Sequence, residues 1–156
     1  MSYPGDALEW FTRPQADEPP GLRFSCTLCG NCCTGPEGFV LVSDDEAVAL
    51  AARLGLTVPE FLARHTRDTS RGRSLKERQS DAGLDCVFLD RERVPGKAVC
   101  GVYEDRPAQC RTWPFWKSNL GNRRSWELAK RTCPGMDTGK RYTLQQVRIL
   151  RDTIDM

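Results

Sequence analysis

Cys26-Thr27-Leu28-Cys29-Gly30-Asn31-Cys32-Cys33 places four thiols within eight residues. Cys26 and Cys29, then Cys29 and Cys32, are each separated by two residues, a spacing at which one tight turn lets both thiolates of a pair converge on an ion or cluster. Gly30 lies inside the second pair, where a residue free to take positive φ eases the turn and lets backbone amides point toward sulfur. Cys32 and Cys33 are neighbours whose side chains are expected to diverge. They would then serve two different metals, or one would ligate while the other packs or reacts.

Four more cysteines follow at Cys86, Cys100, Cys110 and Cys133. Eight thiols match two four-cysteine sites, or one cluster with four left for a second metal or for redox work. The remainder of the chain decides between metal and disulfides. The N-terminus has no basic stretch followed by an apolar run, and no later segment approaches the roughly 20 apolar residues of a membrane span, so the chain reads as cytoplasmic. A reducing compartment keeps thiols free, which favours metal or redox chemistry. At 156 residues, with 39% hydrophobic and 28% charged residues, the chain has enough apolar surface for one folded domain. Its net charge of +2 neither requires nor excludes a polyanionic partner.

The expected fold class is α+β: a small loop-rich domain with a β-hairpin and several short helices organised around a cysteine metal site. Residues 1–25, with Pro4, Pro14, Pro19, Pro20, Gly5 and Gly21, predict an irregular arm of extended or loop backbone, anchored by Trp10 and Phe11. Residues 26–135 form the cysteine-cluster domain, and 136–156 a C-terminal helix packing on it. Ser43 with Glu46, then Ala47, Leu50, Ala51 and Leu54, predicts a capped helix that Gly55 ends. Thr57 with Glu60 and Pro59 opens a second helix that buries Phe61 and Leu62. Residues 69–81 are polar without a clear period and read as a loop or an exposed strand. Cys86–Leu89 and Ala98–Tyr103 flank the turn residues Pro95-Gly96 and predict a hairpin with one cysteine per strand. Glu104–Arg111 is a short helix with Pro107 in its first turn. Thr143 with Gln146, then Leu144, Val147, Leu150 and Ile154, predicts the amphipathic C-terminal helix.

Cys133-Pro134 invites comparison with bacterial ferredoxins, in which spaced cysteine pairs combine with a remote cysteine before proline. Cys26, Cys29 and Cys32 with a distant fourth thiol would satisfy a cubane iron-sulfur cluster, so zinc and iron-sulfur both remain open on spacing. The Cys-x-x-Cys-Gly-x-Cys-Cys run, Cys86-Val87-Phe88-Leu89, the Cys100–Arg111 segment and Trp113-Pro114-Phe115 together resemble the YkgJ-type cysteine-cluster (CxxCxxCC) family. That resemblance covers roughly Cys26 to Cys133 and implies chelation of zinc or iron. A related cysteine-rich module in flagellin lysine methylases implies a link to protein modification, although this chain carries no glycine-rich nucleotide-binding motif.

Arg106 and Arg111 flank Cys110. Four thiolates around a divalent ion leave a net charge of about minus two, which a guanidinium would offset. The alternative is structural: Arg106 caps a turn or pairs with Glu104 or Asp105. Asp85 and Asp90 read as exposed strand ends, and His65 as a packing or surface residue rather than a ligand. Residues 106–131 mix basic side chains with Trp113, Phe115, Trp116 and Trp126. This mixture is read as core aromatics under a solvated basic face in preference to a nucleic-acid surface, since no recognised nucleic-acid fold accompanies it.

The leading reading is a metal-binding module using Cys26, Cys29, Cys32, Cys33, Cys86, Cys100, Cys110 and Cys133. The rivals are an iron-sulfur oxidoreductase or accessory factor in protein modification, with Cys33 as a spare reactive thiol, and a nucleic-acid-binding module. A protein partner is compatible with any of these.

Overall fold

The computed structural model describes residues 9–13 and 17–156, so Pro4, Gly5 and Pro14 lie outside the described residues. In chain order the strands and helices are β1 (Gly21–Phe24), α1 (Asp44–Leu54), α2 (Val58–His65), β2 (Thr66–Thr69), β3 (Gly72–Leu75), β4 (Glu77–Ser80) and β5 (Gly83–Cys86). Then come β6 (Leu89–Asp90), β7 (Val99–Cys100), α3 (Ala108–Thr112), α4 (Lys117–Leu120), α5 (Arg123–Lys130), β8 (Met136–Thr143) and α6 (Leu144–Thr153). Short 3-10 turns occupy Trp10–Thr12, Asn31–Cys33 and Tyr103–Asp105. The class is α+β, with every sheet a two-stranded antiparallel ribbon.

The chain forms two compact units, one of Leu28–Arg111 and one of Met1–Thr27 with Thr112–Met156. In the first, α1 and α2 start where their capping chemistry dictates. Ser43 accepts from the Glu46 amide while Glu46 accepts from the Ser43 amide, and Thr57 and Glu60 repeat the exchange. Each cap satisfies amides that have no partner inside the helix, an effect of about 1 kcal/mol. Gly55 ends α1 at φ 68°, where its amide closes back onto Ala51 and Ala52. Leu50 and Phe61, both 0% exposed, meet Ala47, Ala51, Leu75 and Val102 in one core, each large side chain contributing about 1.5–3 kcal/mol by burial.

Residues 69–81, which allowed either a loop or an exposed strand, fall within two successive hairpins. β2 pairs with β3 (Thr66↔Leu75) and β4 pairs with β5 (Glu77↔Cys86). The predicted Cys86/Cys100 hairpin is therefore corrected. β6 and β7 do form one, with Leu89 opposite Cys100, but Cys86 closes the preceding ribbon, opposite Glu77.

The second unit has an aromatic core. Phe11, Phe115 and Trp126 are each 1% exposed and pack with Leu22, Met136 and Val147. Phe115 stacks on Trp126 at 5.9 Å, and Trp10 donates its indole N–H to Leu120 O at 3.1 Å, so the Trp10-Phe11 pair anchors its segment as expected. The extended backbone after Pro20 is paired: β1 lies against β8, Leu22 opposite Tyr142, with an irregularity between Arg23 and Phe24. Thr143 and Gln146 form the third capping box and start α6, whose Val147 is fully buried. Among the described residues no helix is long and apolar enough to cross a membrane.

Candidate metal centre

All eight cysteines are free of disulfides. Six of them, Cys29, Cys32, Cys33, Cys86, Cys100 and Cys110, belong to the Leu28–Arg111 unit, and Cys26 and Cys133 to the other. Cys133 is 9% exposed within the aromatic core.

The motif turns as its glycine predicts. Gly30 has φ 77° and heads the Asn31–Cys33 turn, in which the Cys33 amide donates to Gly30 O at 2.9 Å. The Asn31 amide donates to Cys29 Sγ at 3.5 Å, which closes the turn onto the motif's second cysteine. Leu28 also has positive φ, 58°, and its carbonyl accepts from the Ala98 amide at 2.8 Å, which ties the motif to the strand carrying Cys100. A Cβ on Gly30 would stand 2.5 Å from Ala98 Cβ, so the same contact also demands glycine.

The expected divergence of Cys32 and Cys33 does not occur. Their sulfurs are 3.6 Å apart, because the 3-10 turn rotates both side chains to one side. Cys33 as donor holds the Cys32 thiol below its usual range, and the same bond with burial drives Cys33 far above it. Cys86 is pushed up to about 11, first by burial and then by the charge of Cys100. Burial raises Cys100 and Cys110 as well, and Cys110 is raised further by Cys86, Cys100 and Cys32. Five thiols thus lie within reach of one another's charge, and each one ionised makes the next harder to ionise.

The elements that bring Cys110 to this group are tied by two side chains, one unmarked in the sequence and one marked only as a helix cap. Gln109, 5% exposed, donates to Phe39 O and accepts from the Leu41 amide, both at 2.9 Å, clamping α3 to the strand-like segment after the motif. Glu46, beyond its capping role, also accepts from the Ala108 amide at the start of α3. Neither residue carried a signal beyond its neighbours in the chain, Cys110 for Gln109 and the helix cap for Glu46.

Asp85 is corrected from an exposed strand end to a buried carboxylate, 1% exposed. Arg91 grips it through two bonds of 2.8 and 2.9 Å and Ser80 adds a third at 2.9 Å, and Arg91 in particular holds its pKa far below the usual carboxylate range. Asp90 accepts from the Glu92 and Arg93 amides at 2.9 Å and shapes the β6–β7 turn. His65 packs as expected, its ring 5.7 Å from Phe61 and 5.3 Å from Phe88, with burial lowering its pKa. Phe115 and Trp126 are core residues, which removes them from any base-stacking surface.

A cleft of about 110 Å³ opens onto Cys32, Cys33 and Cys86 between Phe39, Val40 and Leu75, giving an entry path to the thiols. Soft thiols in this number are the donor set of zinc and iron sites. Their positions are gathered rather than closed: among the described residues no three His, Cys, Asp or Glu side chains converge tightly enough to hold an ion. A family model, CxxCxxCC, described as a putative zinc- or iron-chelating domain, matches residues 25–134. No solved structure matches the chain.

Proposed function

Because this chain belongs to the CxxCxxCC family of zinc- or iron-chelating domains, we propose that its Leu28–Arg111 unit binds the metal through thiols drawn from Cys32, Cys33, Cys86, Cys100 and Cys110, with Cys29 adjoining them. The observation that carries this reading is the gathering of five thiols from four separate segments into one field of mutual repulsion. Without a cation the group beyond Cys32 resists ionisation, and a bound divalent ion removes that resistance by supplying the opposite charge. The fold's own share of the work is to gather the donors, shield them, and leave the cleft as an approach. Ligation completes the geometry, as is usual where metal binding and folding are coupled.

Cys26 and Cys133 belong to the same eight-cysteine hypothesis, and their contribution is separable by mutation. A bound zinc would organise the fold around it, whereas an iron-sulfur cluster would add electron transfer. The deciding measurement is elemental analysis of anaerobically purified protein together with its absorption spectrum. Stoichiometric zinc in a colourless sample supports a structural chelate. Iron with sulfide and absorbance near roughly 400 nm, bleached by dithionite, supports the iron-sulfur form. A fully folded, metal-free protein that takes up neither ion would overturn the proposal.

A further inference from the structure

The acids beside Arg106 in the chain are both occupied by a different arginine. Arg53 meets Glu104 at 2.9 Å and Asp105 at 2.5 Å, which leaves Arg106 without an ion pair among the described residues. Its guanidinium is nevertheless fixed. The Cζ lies 3.9 Å from the centroid of the Tyr103 ring, and Nε donates to Tyr103 O at 2.9 Å. This clamp sits at the end of the Tyr103–Asp105 turn, between β7 with Cys100 and α3 with Cys110.

Three other arginines near the thiols face acids. Arg91 is neutralised by buried Asp85, Arg53 by its two carboxylates, and Arg111 faces Glu46 at 3.8 Å. At Cys86 the positive field of Arg78 is opposed by Glu77. The charge of Arg106, in contrast, reaches Cys32, Cys100 and Cys110, and at each it favours the thiolate.

We propose that Arg106 is the positioning cation of the thiol cluster: clamped on Tyr103 and denied its neighbouring carboxylates by Arg53, it offsets the excess negative charge that thiolates accumulate around a bound ion. This rests on the metal-binding reading above. A four-thiolate dication site carries a net charge of about minus two, and a fixed guanidinium beside it tunes affinity by the roughly 10- to 100-fold typical of groups that support ligands without touching metal. Arginine suits the place because its plane stacks on an aromatic ring while its charge stays permanent.

The test is competition for zinc between the full-length protein and a chromophoric chelator. Arg106→Gln should weaken zinc binding about tenfold and Arg106→Lys should stay within about threefold of the parent, while Arg93→Gln, an equal change in net charge on an exposed turn, should stay within about twofold. Tyr103→Leu, which removes the ring under the guanidinium but keeps the carbonyl that Nε donates to, should weaken binding about threefold. Equal affinity for Arg106→Gln and the parent would overturn the proposal, as would Arg106→Lys binding as poorly as Arg106→Gln, since shape rather than charge would then be at work. Should Arg106→Gln not fold, Tyr103→Leu decides: the threefold loss supports the role and unchanged affinity overturns it. A parent protein that binds no zinc or iron at all overturns the metal-binding reading itself, a different outcome from a parent that binds and variants that do not differ.

Discussion

Cys86 and Cys100 in one unit and Cys133 in the other sit in contrasting surroundings. In Leu28–Arg111, Cys86 and Cys100 lie at the edge of a modest apolar core built on Leu50 and Phe61, where their neighbours include other thiols. In the other unit Cys133 is enclosed by Phe115, Trp126 and Met136, a core whose interlocking aromatic rings fill the space themselves. A thiol among hydrocarbons behaves as a small hydrophobe, whereas thiols among thiols carry an electrostatic strain that a cation relieves. On the function proposed above, the contrast predicts that one unit depends on metal for its stability and the other on packing.

The most direct way to break that contrast is a strong chelator. Metal removal should unfold the Leu28–Arg111 unit, with an effect on the order of 10 kcal/mol, and appear as lost hydrogen-exchange protection in α1, α2 and the ribbons. All four tryptophans, Trp10, Trp113, Trp116 and Trp126, lie in the other unit, so their fluorescence should hold while that protection disappears. Simultaneous loss of both signals would end the distinction.

Two serine substitutions sharpen it. Cys110→Ser should lower metal affinity at least about a hundredfold by removing a donor, read by chelator competition. Cys133→Ser should leave the affinity of the five-thiol group within a few-fold and instead cost about 1–3 kcal/mol in denaturant unfolding, because a hydroxyl replaces sulfur in an aromatic core. Metal loss on Cys133→Ser would place Cys133 among the ligands.

A smaller effect separates the motif from the helices. Gly30→Ala should destabilise the metal-loaded protein by about 2–4 kcal/mol, since the left-handed backbone and the 2.5 Å approach to Ala98 act together. Gly55→Ala, with φ 68° but open space around it, should cost only about 1 kcal/mol. Equal losses would mean that the Leu28–Ala98 tie does not hold the motif in place.

The smallest effect is one of pH. Burial keeps the His65 pKa below its unfolded value of about 6.5, so the unfolded chain binds the proton first. His65 therefore leaves stability unchanged above about pH 6.5 and lowers it as the pH falls from there toward the folded value. His65→Phe should flatten this slope in urea melts between pH 7 and 5. Asp85 carries the opposite shift, held low by Arg91, and its stabilisation is lost only on acidification below the ordinary carboxylate range near 4.

Much of the local structure was legible before any coordinates. The three capping boxes at Ser43, Thr57 and Thr143, and the left-handed turn at Gly30, rest on interactions spanning a few residues, which short-range chemistry specifies. The polar ribbons were harder, because a two-stranded hairpin with both faces partly wet has no apolar alternation to betray it. Asp85 was misread for the same reason: its partner Arg91 lies beyond a strand end, and nothing local marks the pair as buried. Of the candidate site, the sequence marked the cysteines but not the clamps. Gln109 reaches back 70 residues to Phe39, a distance at which side-chain pairing leaves no periodic trace.

What the chain determined by itself was its chemistry: eight thiols, a motif that must turn at glycine, helices that begin at their caps, and membership in a metal-chelating family. Which thiols become neighbours, and that Arg53 rather than Arg106 takes Glu104 and Asp105, were decided only by tertiary structure. Both depend on competition in space. Arg53, distant in the chain, claims the carboxylates next to Arg106, and the folding of four segments onto one another selects the cysteines whose charges meet.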